Sequence, residues 1–148
     1  MTDNSSSQRG FSLIELLIVC AIIGIIASIA IVYVLQAKQA ANSASAISSL
    51  RTIHQSESSY RASTGNYGDM TQLGNSGLIN DPSLRSNGQK SMYQFTVTPD
   101  ATDATLDYTA AAAPLSLPSV NFFYFVNATG VIRKHLGAAA DASSTPID

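Results

Sequence analysis

The chain has 148 residues, of which 45% are hydrophobic and 12% are charged, and this length accommodates one domain. The formal net charge is −2 at pH 7 and the pI is near 5.5, so the few scattered Lys and Arg residues provide no electrostatic footprint for nucleic acid. Cys20 is the single cysteine, so an intramolecular disulfide is excluded, and it lies within an apolar stretch.

Residues 1–10 are polar and precede a long apolar stretch. In an ordinary secretory signal the apolar region comes first and a small-residue cleavage site follows it. Here the small residue, Gly10, stands before the apolar stretch. Cleavage at that point would leave the apolar segment on the mature protein.

The apolar stretch is long enough to cross a membrane. No charged residue occurs between Glu15 and Lys38, and residues 16–35 are apolar or aromatic except Gly24 and Ser28. As a helix these residues extend over roughly 30 Å, about the thickness of the hydrocarbon core of a bilayer. We predict that residues 11–35 form a transmembrane segment.

The helix is predicted to continue beyond the apolar stretch. Apolar residues recur mainly at intervals of three among polar ones, at Ile47, Leu50 and Ile53. No proline and a single glycine lie between Phe11 and Thr64. The sequence therefore predicts one helix over residues 11–63, with an amphipathic half at residues 36–63.

The remainder of the chain is predicted to form a small sheet. Glycine, proline, Asn and Asp are frequent in residues 64–91, which predicts a loop-rich connector. Alternating apolar and polar residues in the range 92–136 predict three or four antiparallel strands, with a hairpin loop at Asn127–Gly130. Residues 137–148 are predicted to be a flexible tail. The expected fold is α+β, a long N-terminal helix with a protruding apolar half, packed against this antiparallel sheet.

Neither a metal site nor an enzyme active site is predicted. Asp100, Asp103 and Asp107 lack the spacing and the central glycine of an EF-hand loop. His54 and His135 are far apart in sequence and have no accompanying acid or cysteine cluster. Nucleophile and nucleotide-binding motifs are absent from the sequence. We therefore expect no enzymatic activity, no metal and no cofactor.

The most specific string in the sequence is Arg9-Gly10-Phe11-Ser12-Leu13-Ile14-Glu15-Leu16. It resembles the N-terminal motif of the type IV pilin and pseudopilin family. The resemblance implies that an inner-membrane peptidase cleaves after Gly10 and methylates the new amine on Phe11. The mature chain would then have 138 residues, the ten leader residues having been removed from 148.

The resemblance also assigns a role to Glu15. An unpaired carboxylate in a membrane helix costs roughly 2.5 to 3.5 kcal/mol, so a partner is expected. By position alone, Glu15 could instead extend to the membrane interface. In the family, the acid pairs with an N-terminal amine and sets the register of subunits. Close packing in the filament core would involve small and apolar residues of the same helix, namely Leu16, Leu17, Ile18, Gly24, Ala27 and Ser28.

The similarity extends past the apolar segment and also has departures. Residues 42–53 and 65–79 are similar to the family's helix and to its turn from helix to sheet, and residues 130–133 to its closing strand. Many pilins have a proline where this chain has Val32, and in the family that proline helps the helix unwind in the filament. Its absence here bears on whether the helix unwinds near Gly24. The cysteines of a C-terminal disulfide loop are missing, and so is the acid-rich calcium loop of major secretion pseudopilins. The missing calcium loop favours a pilus over a type II secretion pseudopilus.

Together these features predict the major pilin of a type IV pilus. The precursor would span the inner membrane once, and the mature chain would form a fimbrial homo-oligomer on the cell surface, of the kind associated with motility and adhesion. Its expected partners are the prepilin peptidase and methyltransferase and the pilus assembly machinery. Two alternatives are open: a minor pilin or type II secretion pseudopilin, and an uncleaved bitopic membrane anchor with an extracytoplasmic binding domain.

Overall fold

The computed structural model of the protein describes residues 10–116 and 120–147, so most of the predicted leader lies outside the described residues. The chain divides into two units, residues 1–38 and 39–148. One helix, α1 (Leu13–Thr64), runs through both of them. The predicted long helix is therefore confirmed, and it is continuous through Gly24 and Val32.

Local chemistry sets both ends of α1. The helix begins two residues later than predicted, because the Ser12 N–H donates to the Glu15 carboxylate at 2.9 Å and Ser12 takes the capping position. It ends where Gly65, at φ +87°, donates its N–H to the Arg61 carbonyl at 2.8 Å. A glycine in this left-handed conformation is the usual way to close a helix.

The segment 64–91, predicted as loop-rich, contains two short helices and the first strand. The helices are α2 (Met70–Asn75) and α3 (Pro82–Asn87). Asp69 and Asp81 accept hydrogen bonds from the first-turn N–H groups of these helices. Asp81 also forms an ion pair of 2.8 Å with Lys90. Six-residue helices depend on such caps, because they are too short to be stable by propensity alone.

The sheet has six strands rather than the three or four predicted. They are β1 (Gln89–Lys90), β2 (Tyr93–Pro99), β3 (Tyr108–Pro114), β4 (Phe122–Asn127), β5 (Arg133–Leu136) and β6 (Thr145–Pro146). Each strand pairs with its neighbours in the sequence, and every pairing is antiparallel. Because β1 and β6 have only two residues each, their sequences carry no periodicity from which to predict them.

Large and small residues alternate across the buried face of the sheet. Phe95 on β2 pairs with Ala112 on β3, which in turn pairs with Tyr124 on β4. All three side chains are buried, and they form one core with Leu50 and Ile53 of α1. The predicted α+β fold, with helix packed on sheet, is therefore confirmed.

The C-terminal segment differs from the predicted flexible tail. Strand β6 pairs with β5, and the Ile147 N–H donates to the Ile132 carbonyl at 2.9 Å. Ser144 is buried, and its carbonyl accepts a hydrogen bond from Arg133 at 2.9 Å. The low complexity of the tail suggested disorder, but these hydrogen bonds with β5 and its neighbours hold it on the sheet.

The Gly88→Ala substitution should destabilise the unit formed by residues 39–148, which we call the sheet-bearing unit. Gly88 has φ +67°, and a Cβ there would lie 2.8 Å from the Phe95 carbonyl oxygen. Gly77 has φ +72° and open space around the same position. The left-handed conformation costs each alanine variant about 1–2 kcal/mol, and Gly88→Ala carries the clash in addition. In chemical denaturation, Gly88→Ala should therefore have a lower free energy of unfolding than Gly77→Ala. Equal free energies of unfolding would contradict the clash.

Candidate functional site

The N-terminal end of α1 places the predicted cleavage pair next to Glu15. Gly10 and Phe11 precede the helix, and Phe11 is 84% exposed. Among the described residues, no atom lies within 4 Å of the position that a Cβ would take on Gly10. The described part of the chain therefore leaves the predicted cleavage site uncovered.

Glu15 closes the first turn of its own helix. Its Oε2 atom accepts the Ser12 N–H at 2.9 Å, and the Leu16 N–H donates to the Ser12 carbonyl at 3.3 Å. A carboxylate at this position neutralises unpaired N–H groups and interacts favourably with the helix dipole. The same carboxylate is exposed, so it can also accept a hydrogen bond from a second donor.

The apolar half of α1 is exposed along its whole length. Every residue from Gly10 to Ala41 is exposed, and the exposed fractions of Leu16, Leu17 and Ile18 are 60%, 60% and 52%. Among the described residues, α1 is the one helix long and apolar enough to span a membrane, judged by length and composition. An apolar surface of this size is typical of a membrane or protein interface.

The small residues predicted to pack in the filament core lie farther along the same segment. Gly24 has open space around its Cα, and the Ser28 hydroxyl donates to the Ile25 carbonyl at 2.7 Å. This hydrogen bond satisfies Ser28 within its own helix, so the side chain costs little in an apolar environment. Ala27 is also exposed. Close approach of a second helix is therefore sterically open along Gly24–Ser28.

Asp100 and Asp103 accept hydrogen bonds from their own turn. Asp100 accepts the N–H groups of Thr102 and Asp103 at 2.7 and 3.0 Å, and Asp103 accepts that of Thr105 at 2.8 Å. The backbone hydrogen bonds lower the pKa of Asp100, and the hydrogen bond from the Thr105 hydroxyl, followed by that from the Thr105 N–H, lowers the pKa of Asp103. Within residues 10–116 and 120–147, no three His, Cys, Asp or Glu side chains are grouped as metal ligands would be.

Glu57 is a buried carboxyl group that was not predicted from the sequence. Glu57 is completely buried, its Oε2 accepts the Gly68 N–H at 3.0 Å, and its Oε1 has no partner among the described residues. Burial raises its pKa to about 7, opposed by the Gly68 hydrogen bond and assisted by the charge of Asp69. Glu57 follows Leu50 and Ile53 on the same helix face, and that spacing was the available signal.

Tyr108, which lies near enough to Glu57 to be affected by its charge, belongs to a cluster of aromatic and polar side chains. His54 Nδ1 lies 2.7 Å from the Tyr108 hydroxyl, and the Tyr67 and Tyr108 ring centroids are 4.9 Å apart. Burial raises the pKa of Tyr108, and the nearby Glu57 charge raises it further. The cluster is closed by the Arg61 guanidinium, 5.0 Å from the Tyr67 ring centroid.

Comparison with known proteins identifies the N-terminal part of the chain. A family model described as the prokaryotic N-terminal methylation motif matches residues 5–31. No curated protein and no solved structure matches the chain. The motif implies processing by a prepilin peptidase in the context of a pilus or pseudopilus machinery, and with the apolar helix it fits an inner-membrane precursor. The chain thus carries the methylation motif that is a hallmark of type IV pilin-like proteins, together with their α+β architecture.

Proposed function

We propose that this chain is the major structural subunit of a type IV pilus. The precursor is cleaved after Gly10, methylated on the Phe11 amine and assembled from the inner membrane into a helical surface filament. One observation carries the proposal: Phe11 and the apolar half of α1 are exposed, and this apolar half contains a single acid, Glu15, at its start. The methylation motif over residues 5–31 supports the processing step.

The exposed half of α1 has two successive environments in this proposal. In the precursor it is covered by lipid, and in the filament it is covered by the same segments of neighbouring subunits. Lipid and apolar side chains are equally apolar, so close packing and polar pairing must provide the driving force for association. Gly24, Ala27 and Ser28 permit the close approach, and Glu15 provides the polar pairing.

The reactions in this proposal are performed by partners. The peptidase and methyltransferase act on Gly10 and Phe11, and the assembly machinery transfers each subunit from the membrane to the growing filament. The chain itself acts as a substrate and then as a structural subunit, with no catalysis and no cofactor of its own. Its principal binding partner is a further copy of itself.

The test is the intact mass and N-terminal sequence of protein sheared from the cell surface. The proposal expects a 138-residue chain that begins with methylated Phe11 and is abundant in filaments, since ten residues are removed from 148. Gly10→Val places a branched side chain at the scissile bond, so that variant should remain uncleaved and membrane-bound. It is the control that links processing to assembly.

Other outcomes of the same measurement identify the alternatives. A cleaved chain that is scarce in sheared filaments would identify a minor pilin or a pseudopilin, which primes or pushes the assembly. A chain that retains Met1 and stays in the membrane fraction would identify a bitopic anchor and overturn the proposal.

A further inference from the structure

A groove with an apolar floor and a basic rim lies in the unit formed by residues 39–148. Its floor includes Ala44, Ile47, Tyr124 and Ile147, and its rim carries Arg51 and Lys134. The ion pair between Lys90 and Asp81 is the one formed within residues 10–116 and 120–147, so neither rim cation has an anionic partner there. We call this feature the basic groove. Lys134 lies over the Phe122 ring, with its Nζ 5.2 Å from the ring centroid, so its charge faces an aromatic ring and not an acid. Two cations without an ion pair among the described residues, beside an apolar floor, suit an occupant that is apolar and acidic.

The same unit presents a loop with those properties. Residues 100–107 connect β2 to β3 and include Asp100, Asp103 and the 69% exposed Leu106. Both carboxylates accept hydrogen bonds inside the loop through Oδ1, and a carboxylate has further lone pairs that can accept from another partner. Those hydrogen bonds lower the pKa of both groups, which keeps the loop negatively charged. We call this loop the acidic turn.

The two features lie at opposite ends of β4. The groove includes Phe122, the first residue of β4. The acidic turn lies at the other end, where Asp107 accepts the Ala128 N–H at 2.9 Å, and it contacts the connector after α1 through Tyr67 N–H to Ala104 O at 2.8 Å. A strand of this length extends roughly 17 Å, which is too far for the turn to enter the groove of its own chain.

We infer that the acidic turn of one subunit docks into the basic groove of the next subunit along the filament. Leu106 contacts the apolar floor, while Asp100 and Asp103 face Arg51 and Lys134. The inference rests on the proposed function and adds to it the contact that joins the sheet-bearing units. Different surfaces of the two copies meet in such a head-to-tail contact, and repetition without closure produces an open helical filament.

The contact provides order more than affinity. Charge pairs at the rim of an interface contribute mainly to the rate and the orientation of docking, whereas an apolar anchor contributes the buried area. Leu106 is the anchor, and the rim pairs select head-to-tail over head-to-head arrangements, since two acidic turns or two basic grooves repel each other. The contact therefore gives the filament a direction independently of α1.

Charge reversal tests the pairing. Lys134→Glu and Asp103→Lys should each lower the amount of sheared filament by about tenfold or more, and the double variant should recover most of it. Asp103→Asn is the matched control for the turn, because its amide oxygen can still accept the Thr105 N–H. Single reversals that assemble like the wild type would overturn the inference.

Disulfide trapping tests the geometry while the four charges stay in place. Thr102→Cys and Ser43→Cys, introduced together with Cys20→Ala, put one thiol in the acidic turn and one in the basic groove. Mild oxidation of assembled filaments should give a ladder of covalent multimers, while Ser83→Cys on α3 replacing Thr102→Cys should not. Filaments that assemble without a ladder overturn this contact alone, whereas a wild-type chain absent from filaments overturns the proposed function.

Discussion

The sheet-bearing unit should lose roughly 2–3 kcal/mol of stability as the pH rises from about 5 to about 8. The cause is Glu57, which is completely buried and whose pKa is raised to about 7 from a usual value of 4.5. The folded state binds the proton more tightly than the unfolded chain does. Stability is therefore fully present below the unfolded pKa and is lost as the pH rises through the folded one.

The surroundings of Glu57 explain why ionisation is unfavourable. Asp69 adds a negative charge beside Glu57, and the Oε1 atom of Glu57 has no hydrogen-bond donor within the described residues. His54 and Arg61 lie on the same helix, but His54 bonds to Tyr108 and Arg61 stacks on Tyr67. Within residues 10–116 and 120–147, only the Gly68 N–H stabilises the charged form. That single hydrogen bond does not offset burial.

The measurement is chemical denaturation of the full-length chain in detergent, followed by tyrosine near-ultraviolet circular dichroism across this pH range. Glu57→Gln is the control, because its amide oxygen can still accept the Gly68 N–H while the side chain does not titrate. Its stability should be nearly constant where the wild type declines. The aspartates with lowered pKa titrate below this range, so they leave the comparison unaffected. Parallel curves for both proteins would refute the role of Glu57.

Patterns of at least one helical turn or several strand residues were predictable from the sequence. The single helix followed from the absence of breakers between Phe11 and Thr64, and the buried face of β2 followed from its alternation. The two-residue strands and the ordered tail depend on pairing partners that are distant in sequence. No local pattern encodes such contacts, because tertiary context decides them.

In the candidate site too, residues marked by a local sequence pattern were predictable, whereas residues whose surroundings come from distant parts of the chain were not. The cleavage pair and Glu15 are recognisable because they surround an apolar stretch in which any acid is costly. The burial of Glu57 arises from the connector and β3, which close over it through Gly68 and Tyr108. Its place on the face of Ile53 was visible in the spacing, yet the expectation that acids lie in solvent concealed it.

Loss of the charge at Glu15 should reduce filament formation by more than about 100-fold without affecting membrane insertion. Removing one partner of a buried ion pair costs about 3–5 kcal/mol, and each 1.4 kcal/mol corresponds to a factor of ten. Insertion is unaffected because the change removes a charge from an apolar helix. The readouts are the amount of sheared filament and the amount of the same chain in the membrane fraction.

Two substitutions separate the possible roles of Glu15. In a single chain its carboxylate accepts the Ser12 N–H at 2.9 Å, and that bond alone would make it a helix cap. Glu15→Gln keeps an acceptor for this hydrogen bond and removes the charge, whereas Glu15→Ala removes both. If the charge pairs with the terminal amine of a subunit, the two variants should fail to assemble equally. If Glu15→Gln assembles like the wild type while Glu15→Ala does not, capping is the role of the residue and the charge pair is excluded.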